Sequence, residues 1–347
     1  MKEKEINSYL LSWYKKNKRK LPWRKLEFNN LPNPYYTLVS EFMLQQTTVP
    51  TVINRFETFI SNWPTIEDLS KISEKKILTF WSGLGYYSRA INLLKTAKII
   101  QKDFQGTVPK KYDELISLPG IGDYTAKAIL GIAYNKPVMP LDSNIERIIS
   151  RIYAFKLPII QIKDKLRLKS EKFISKNSST NLIQAFMDYG SIICTPRNPN
   201  CDNCKIQLQC LASRKKLQTQ IPVKLNTQPK KKKKYTRAYI FLNEKNEILV
   251  RRRSSKGMLP SMLEVPNDEW QFIKKKLVHD KLVKNFKRNF KFNGEVEYSF
   301  SHFKLQTKVY FQIIEKSNFP KSQWIKKEKI EKSGLPTVMK KIVKVAI

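Results

Sequence analysis

From the start of the chain to about Ala212, apolar residues recur at spacings of three and four, as in Ile6, Leu10 and Trp13 and again in Val52, Phe56 and Ile60. That period lines one face of an α-helix, and alternating β-branched runs are missing there. Residues 213–235 are polar, punctuated by Pro222 and Pro229, and carry five successive lysines, Lys230 to Lys234. The stretch reads as a linker, its lysines as either a solvated spacer or a strap for phosphates. Beyond it the period changes to two: Ala238, Ile240 and Leu242 alternate with Tyr239, Phe241 and Asn243, and Gln306 to Ile313 forms another strand pattern. Helical pieces are expected at Asp268–Leu277 and Met339–Ala346. The expected organisation is an all-helical module over residues 1–212, a basic linker over 213–235 and a smaller α+β module over 236–347.

The length, 347 residues, suits about two domains. With 66 Lys and Arg against 29 Asp and Glu, the net charge is +37. Such a field favours a polyanionic partner, nucleic acid first and an anionic membrane surface second, although lysine used for solubility alone would produce the same excess. An apolar content of 41% excludes a disordered basic tail. Met1 to Glu5 is charged with no apolar segment behind it, and no run has spanning length, so a cytoplasmic protein without a membrane partner, with a monomer as the default, is expected. The two histidines, His279 and His302, exclude a His-rich metal centre, and the ten glycines form neither a P-loop nor a dinucleotide fingerprint. An enzyme with this composition would draw its acid and base from carboxylates.

All four cysteines fall between Cys194 and Cys210, spaced C-x6-C-x2-C-x5-C through Cys201 and Cys204. Four thiols in one short loop are a ligand set rather than a disulfide frame. Structural zinc and an iron–sulfur cluster both take four thiolates, and zinc usually shows two C-x2-C pairs where this loop has one.

Leu118 to Gly122, L-P-G-I-G, precede a helical pattern at Asp123–Ile132. Gly120 and Gly122 beside a helix N-terminus permit close approach of a phosphate to backbone N–H groups, or simply make a tight turn. Ser143 and Glu146 form a capping-box pattern that would start a helix at Asn144 and leave Asp142 free to face a cleft; capping by Asp142 itself is the other reading. Glu41, flanked by apolar residues on a helical pattern, either sits at the edge of a helix face or is desolvated enough to hold a proton for general acid work.

These blocks occur together and in order: L-P-W-R at Leu21–Arg24, S-E-F-M-L-Q-Q-T at Ser40–Thr47, G-L-G-Y-Y at Gly83–Tyr87, L-P-G-I-G-D-Y-T-A at Leu118–Ala126, L-D-S-N at Leu141–Asn144, and the cysteine loop. The set resembles the MutY-type adenine DNA glycosylases of the endonuclease III superfamily, and F-S-H-F at Phe300–Phe303 resembles their Nudix-like C-terminal domain. The resemblance implies a helix–hairpin–helix glycosylase fold that holds a 4Fe-4S cluster on Cys194, Cys201, Cys204 and Cys210. The activity it implies is monofunctional hydrolysis of adenine from double-stranded DNA with A:8-oxoguanine or A:G mispairs, as part of base excision repair. Glu41 would protonate adenine at N7, Asp142 would stabilise the cationic sugar, and Tyr124 and Asn144 would hold these groups in register. Trp23 and Arg24 would line the adenine pocket, Gln46 and Tyr86 would wedge beside the lesion, and Ser301 and His302 would face 8-oxoguanine. Each also has a plainer reading: Trp23 and Tyr86 as core aromatics, Arg24 as a surface charge, Gln46 as a solvated helix residue, and Ser301 with His302 as a strand end.

Tyr124 stands where endonuclease III carries its lysine nucleophile, and a phenol cannot form the imine that strand cleavage needs. Two departures from the family pattern stand out. Lys25–Asn33 looks longer than usual, and Gly257-Met258-Leu259-Pro260-Ser261 replaces a glycine-rich block. The glutamate cluster of Nudix hydrolases is missing, so no pyrophosphatase activity is expected.

Overall fold

The computed structural model describes residues 2–27, 30–223, 231–254, 257–274, 280, 282–283, 289–315, 319 and 322–347. The helices are α1 (Lys2–Asn17), α2 (Pro34–Leu44), α3 (Val49–Asn62), α4 (Ile66–Ser70), α5 (Glu74–Trp81), α6 (Ser88–Asp103), α7 (Tyr112–Ile116), α8 (Asp123–Ala133), α9 (Ser143–Ile152), α10 (Lys163–Glu171), α11 (Ser179–Ile192) and α12 (Leu211–Arg214). Strands β1 (Lys232–Leu242), β2 (Glu247–Arg252), β3 (Leu263–Glu264), β4 (Lys291–Ser299), β5 (Phe303–Ile313) and β6 (Ser322–Lys326) follow, and α13 (Thr337–Ala346) ends the chain. Two compact units result: Met1–Lys71 with Asn92–Asn226, and Ile72–Ile91 with Thr227–Ile347.

The first unit is helical because its apolar positions keep helical spacing. In α9, Ile145, Ile148, Ile149 and Ile152 fall at i, i+3, i+4 and i+7 and are all buried. They meet Leu182, Ile183, Phe186 and Tyr189 of α11 and Ile6 and Leu10 of α1 in one core. Each such side chain contributes roughly 1.5–3 kcal/mol by leaving water, which makes α11, packed against α1, α8 and α9, the axis of the unit.

The second unit contains a mixed sheet in the order β3-β2-β1-β5-β4, with β6 also paired to β2. β1 runs parallel to β5 from Lys232 opposite Phe303 to Leu242 opposite Ile313, and the other pairings are antiparallel. Alternation along β1 sends Ala238 and Ile240 to the face covered by Val338, Met339 and Ile342 of α13, and Tyr239 and Phe241 to the opposite face, against Val283.

Two expectations about local structure are corrected. β1 begins at Lys232, so Lys232–Lys234 of the stretch read as linker are strand residues; residues 224–230 of it lie outside the described part. Residues 268–273 are not helical. β1 outruns β2, and the backbone it leaves unpaired is taken up by residues 267–271, with Tyr235 N–H donating to Gln271 O at 2.8 Å and Gln271 N–H donating back at 3.1 Å. Asp268 is committed to Arg237 and to the backbone N–H of Asp280 rather than to a helix cap. Residues 275–277 of that expected helix, and His279, lie outside the described residues.

Candidate active site

A cavity of about 780 Å³ opens in the first unit, and it gathers Trp23, Arg24, Glu41, Gln46, Tyr124, Asp142 and Asn144 from five segments. Glu41 arrives on α2. Asn33 caps that helix by accepting the N–H groups of Tyr35 at 2.8 Å and Tyr36 at 3.0 Å, and Pro34 occupies the first turn. Because α2 is apolar on nearly every side, it carries Glu41 into the interior with only 6% of its surface exposed. Burial pushes the Glu41 carboxyl up to about 7, Asp142 adds to the rise, and a hydrogen bond from the Tyr124 hydroxyl opposes it.

Tyr124 sits in the first turn of α8, directly after the glycine hairpin. Gly120 has φ +82°, and a Cβ there would lie 2.8 Å from Asn92 Cβ and 2.9 Å from the Phe42 ring, so this turn requires glycine. Gly122 caps α8 with φ −103°, and its surroundings are open. The α8 N-terminus is thereby left accessible to an anion.

Asp142 is the N-cap of α9, which corrects the capping box expected at Ser143 and Glu146. The helix starts at Ser143, and Asp142 Oδ1 accepts the Ile145 N–H at 2.7 Å. Asp is as good a cap as Ser, and here a single oxygen does the capping. The other, Oδ2, accepts the Asn144 amide at 2.8 Å, and the residue still lines the cavity. The two readings of Asp142 are therefore compatible. Burial raises its pKa above the ordinary value, with the Ile145 N–H, the Asn144 amide and the charge of Arg147 all opposing.

Arg147 ties this corner to the cysteine loop. Its Nη2 donates to Asn144 Oδ1 at 2.8 Å and to Gly190 O at 2.7 Å, and its Nε donates to Cys194 O at 2.8 Å. A Cβ at Gly190 would come within 2.6 Å of Asn144 Cβ, so glycine there admits Asn144.

Trp23 is buried and meets Phe56 edge to face at 5.5 Å, so it is both a core aromatic and a cavity wall. Arg24 is no free surface charge: Nη1 and Nη2 reach Asp188 at 2.7 and 2.9 Å, and Arg19 Nε reaches the same carboxylate at 2.6 Å. Burial alone would raise the Asp188 carboxyl, but the two guanidinium groups hold it below its ordinary value. Gln46 lies beyond the end of α2, exposed and at φ +57°, a conformation that costs a non-glycine residue about 1–3 kcal/mol.

Sequence reasoning missed Asp188 and Gln184. Gln184 Nε2 donates to Thr180 O at 3.0 Å, while its Oε1, buried beside the cavity, has no partner among the described residues. The signal was available: two polar residues four apart in Leu182–Tyr189, the largely apolar middle of α11.

Cys194, Cys201, Cys204 and Cys210 surround a second, small cavity, also lined by Ile148 and Arg151. Arg151 Nη1 donates to Cys194 Sγ at 3.2 Å, and the Tyr189 hydroxyl donates to Cys204 Sγ at 3.2 Å. Among the described residues, no three His, Cys, Asp or Glu side chains are drawn together closely enough to chelate an ion as they stand.

The remaining candidates belong to the second unit. Ser301 and His302 form the exposed turn between β4 and β5, and Tyr86, at φ +47° and 42% exposed, meets Ser301 hydroxyl to hydroxyl. Tyr86 is thus not a core aromatic. In the loop that departs from the family pattern, Leu259 and Ser261 flank Pro260 with φ +53° and +57°.

Comparison with known proteins agrees with this architecture. Residues 39–176 match the HhH-GPD superfamily of base excision DNA repair proteins, and residues 237–345 match the NUDIX domain. The adenine DNA glycosylase of Buchnera aphidicola subsp. Baizongia pistaciae (strain Bp) is 37% identical over 345 residues, covering 96% of this chain and 94% of the relative. The human adenine DNA glycosylase is 28% identical over 400 residues, covering 97% and 73%. Among solved structures, a thermostable thymine-DNA glycosylase matches with a TM-score of 0.55 at 26% identity, over 62% of this chain and 97% of that one.

The helical unit is that of a helix–hairpin–helix base excision DNA glycosylase, a hydrolase of N-glycosyl bonds, joined to a Nudix-like sheet domain. The nearly full-length matches narrow the class further. The chain belongs to the adenine DNA glycosylase family, whose members act on DNA in base excision repair. Among the described residues, no helix is long and apolar enough to cross a membrane.

Proposed function

We propose that the protein is a monofunctional glycosylase that removes adenine mispaired with 8-oxoguanine or guanine in double-stranded DNA, acting as a monomer in the cytoplasm. The observation that carries this reading is the pair of carboxylates in one cavity with unequal surroundings: Glu41 meets a single tyrosine hydroxyl, whereas Asp142 receives a backbone N–H and an amide near a guanidinium. Such a pair divides into a proton donor and an anion.

The adenine is extruded into the cavity between Trp23 and Arg24. Glu41 gives its proton to N7, the C1′–N9 bond breaks with its electrons going to the base, and Asp142 faces the cationic sugar. Water adds to C1′ and returns a proton to Glu41. Tyr124 and Asn144 keep the two carboxylates in register, and Gln184 Oε1 accepts from the exocyclic amine of the base. The glycine hairpin at Gly120 and Gly122 grips a phosphate, Gln46 and Tyr86 wedge beside the lesion, and Ser301 and His302 read the opposing base.

Lack of strand cleavage follows from Tyr124, whose phenol forms no imine, and from Lys127, whose ammonium is held by Asp123 at 2.8 Å. The four cysteines are assigned to a 4Fe-4S cluster. Their donor set suits it, and so do the hydrogen bonds that two of the sulfurs receive from Arg151 and Tyr189. Bound there, the cluster would cross-link the loop and supply a redox-capable centre.

A single-turnover assay on duplexes with adenine opposite 8-oxoguanine, guanine or thymine, read with and without alkali, tests the reading. Adenine loss opposite 8-oxoguanine and guanine, with strand breakage only after alkali, is expected. Breakage without alkali would overturn the monofunctional assignment, and equal loss opposite thymine would overturn the mispair assignment.

A further inference from the structure

The hydroxyl of Tyr189 is buried where an ordinary core position would hold a phenylalanine. The side chain is fully enclosed on α11, and its ring is walled by Trp13 at 5.0 Å and Tyr9 at 6.2 Å, both edge to face from α1. A hydroxyl in such a place needs a partner, and its proton goes to Cys204 Sγ at 3.2 Å. Tyr9 shares a hydrogen bond with the same hydroxyl from a half-buried position.

We propose that Tyr189 is a tuning donor to the Cys204 thiolate when that sulfur ligates the 4Fe-4S cluster; the inference rests on the cluster assignment above. The ligand roles of the four cysteines do not require this donor. A hydrogen bond to a ligating sulfur draws electron density from it, weakens its bond to iron and favours the reduced state, and hydrogen bonding and solvent exposure at the sulfurs are established determinants of cluster potential. Arg151 donates to Cys194 in the same loop, so these two sulfurs receive donors of different charge, one a guanidinium and one a neutral hydroxyl.

The test is resonance Raman spectroscopy of the iron-to-cysteine stretching bands in H2O and D2O on the full chain, beside a midpoint potential. In the unaltered protein, bands that shift on deuteration are expected. Tyr189→Phe keeps the ring and removes the donor, so it should raise a stretching frequency, reduce the D2O shift and make the potential more negative. Tyr9→Phe should move the same readouts by less, since it changes how the Tyr189 hydroxyl is shared, and Trp13→Phe should leave them unmoved. If Tyr189→Phe takes up no iron, Tyr9→Phe decides alone. Loaded variants with unshifted bands and potential overturn the tuning role. Unaltered protein without any iron–sulfur bands overturns the cluster assignment instead, so the two failures are distinguishable.

Discussion

Arg147 and Asn144 are joined across one turn of α9 by a hydrogen bond of 2.8 Å from guanidinium to amide oxygen, which leaves the amide nitrogen turned toward Asp142. An amide has one acceptor and one donor end, and with the acceptor occupied the donor end must face the carboxylate. The orientation of a cavity residue is thereby set by a side chain that also holds the Cys194 carbonyl.

Removing the guanidinium should accordingly disturb chemistry it does not touch. Arg147→Gln loses several hydrogen bonds from a charged donor, each worth roughly 1.5–3 kcal/mol, and frees Asn144 to turn its oxygen toward Asp142. Single-turnover adenine release is expected to slow by about ten- to a hundredfold, as a loss of about 1.4–2.8 kcal/mol at the transition state requires. Release at the unaltered rate, with the variant folded, would mean that Asn144 orients itself.

Glu41 links pH, stability and rate in opposite directions. Its carboxyl is raised from an ordinary value of 4.5 to about 7, so the folded state holds this proton more tightly than the unfolded chain does. Stability from this group is fully present below about pH 4.5, falls as pH rises and is lost above about pH 7, a penalty on the order of 3 kcal/mol. Glu41→Gln should therefore abolish adenine release and also raise the melting temperature at pH 8, the gain vanishing toward pH 4.5. In the unaltered protein, release should decline as pH rises through about 7. Equal melting temperatures of the two proteins at pH 8 would contradict the assigned desolvation.

What the sequence revealed was what depends on spacing and residue type. The helical spacing of Ile6 and Leu10, the alternation along β1 and the cysteine loop were visible because period and composition define them, whereas Glu41 and Asp142 were brought together only by the family resemblance. Asp268–Leu277 was misread because the competing partner, the unpaired half of β1, lies some thirty residues earlier in the chain, and no local pattern records its vacancy. The capping box expected at Ser143 and Glu146 failed for a related reason. Asp142 and Ser143 are both good caps, and only the structure shows that one carboxylate oxygen caps α9 while the other serves the cavity. Arg24 was expected in the adenine pocket or on the surface, and its pairing with Asp188, 164 residues away, could not be seen along the chain.

That pairing is also where the cavity wall is most vulnerable. Asp188 is wholly buried and accepts from Arg24 through both oxygens and from Arg19 through its side chain and backbone. Asp188→Asn leaves two cations facing a neutral amide, and breaking a buried pair from one side costs about 3–5 kcal/mol. A melting-temperature drop of the matching size is expected, together with weaker binding of adenine-containing duplex, since Arg24 loses its fixed position. Asp188→Leu should be worse still, as it supplies no acceptor. A variant as stable as the unaltered protein would show that water replaces the carboxylate.

Gln184 offers the most direct test of base selection. Its unpaired Oε1 borders the cavity, and a buried acceptor without a donor carries a penalty of about 1–3 kcal/mol that a bound amine relieves. Adenine supplies such an amine at its 6-position, and purine, which lacks it, does not. The unaltered protein should release adenine faster than purine from otherwise identical duplexes by roughly tenfold, once the different leaving abilities of the bases are calibrated by acid hydrolysis. Gln184→Leu should erase that preference by slowing adenine alone, whereas Gln184→Glu, which keeps an acceptor there, should preserve it. If Gln184→Leu slows both bases equally, the residue shapes the wall without reading the amine, and selection for adenine would then fall to Glu41 and the ring-stacking contacts of Trp23.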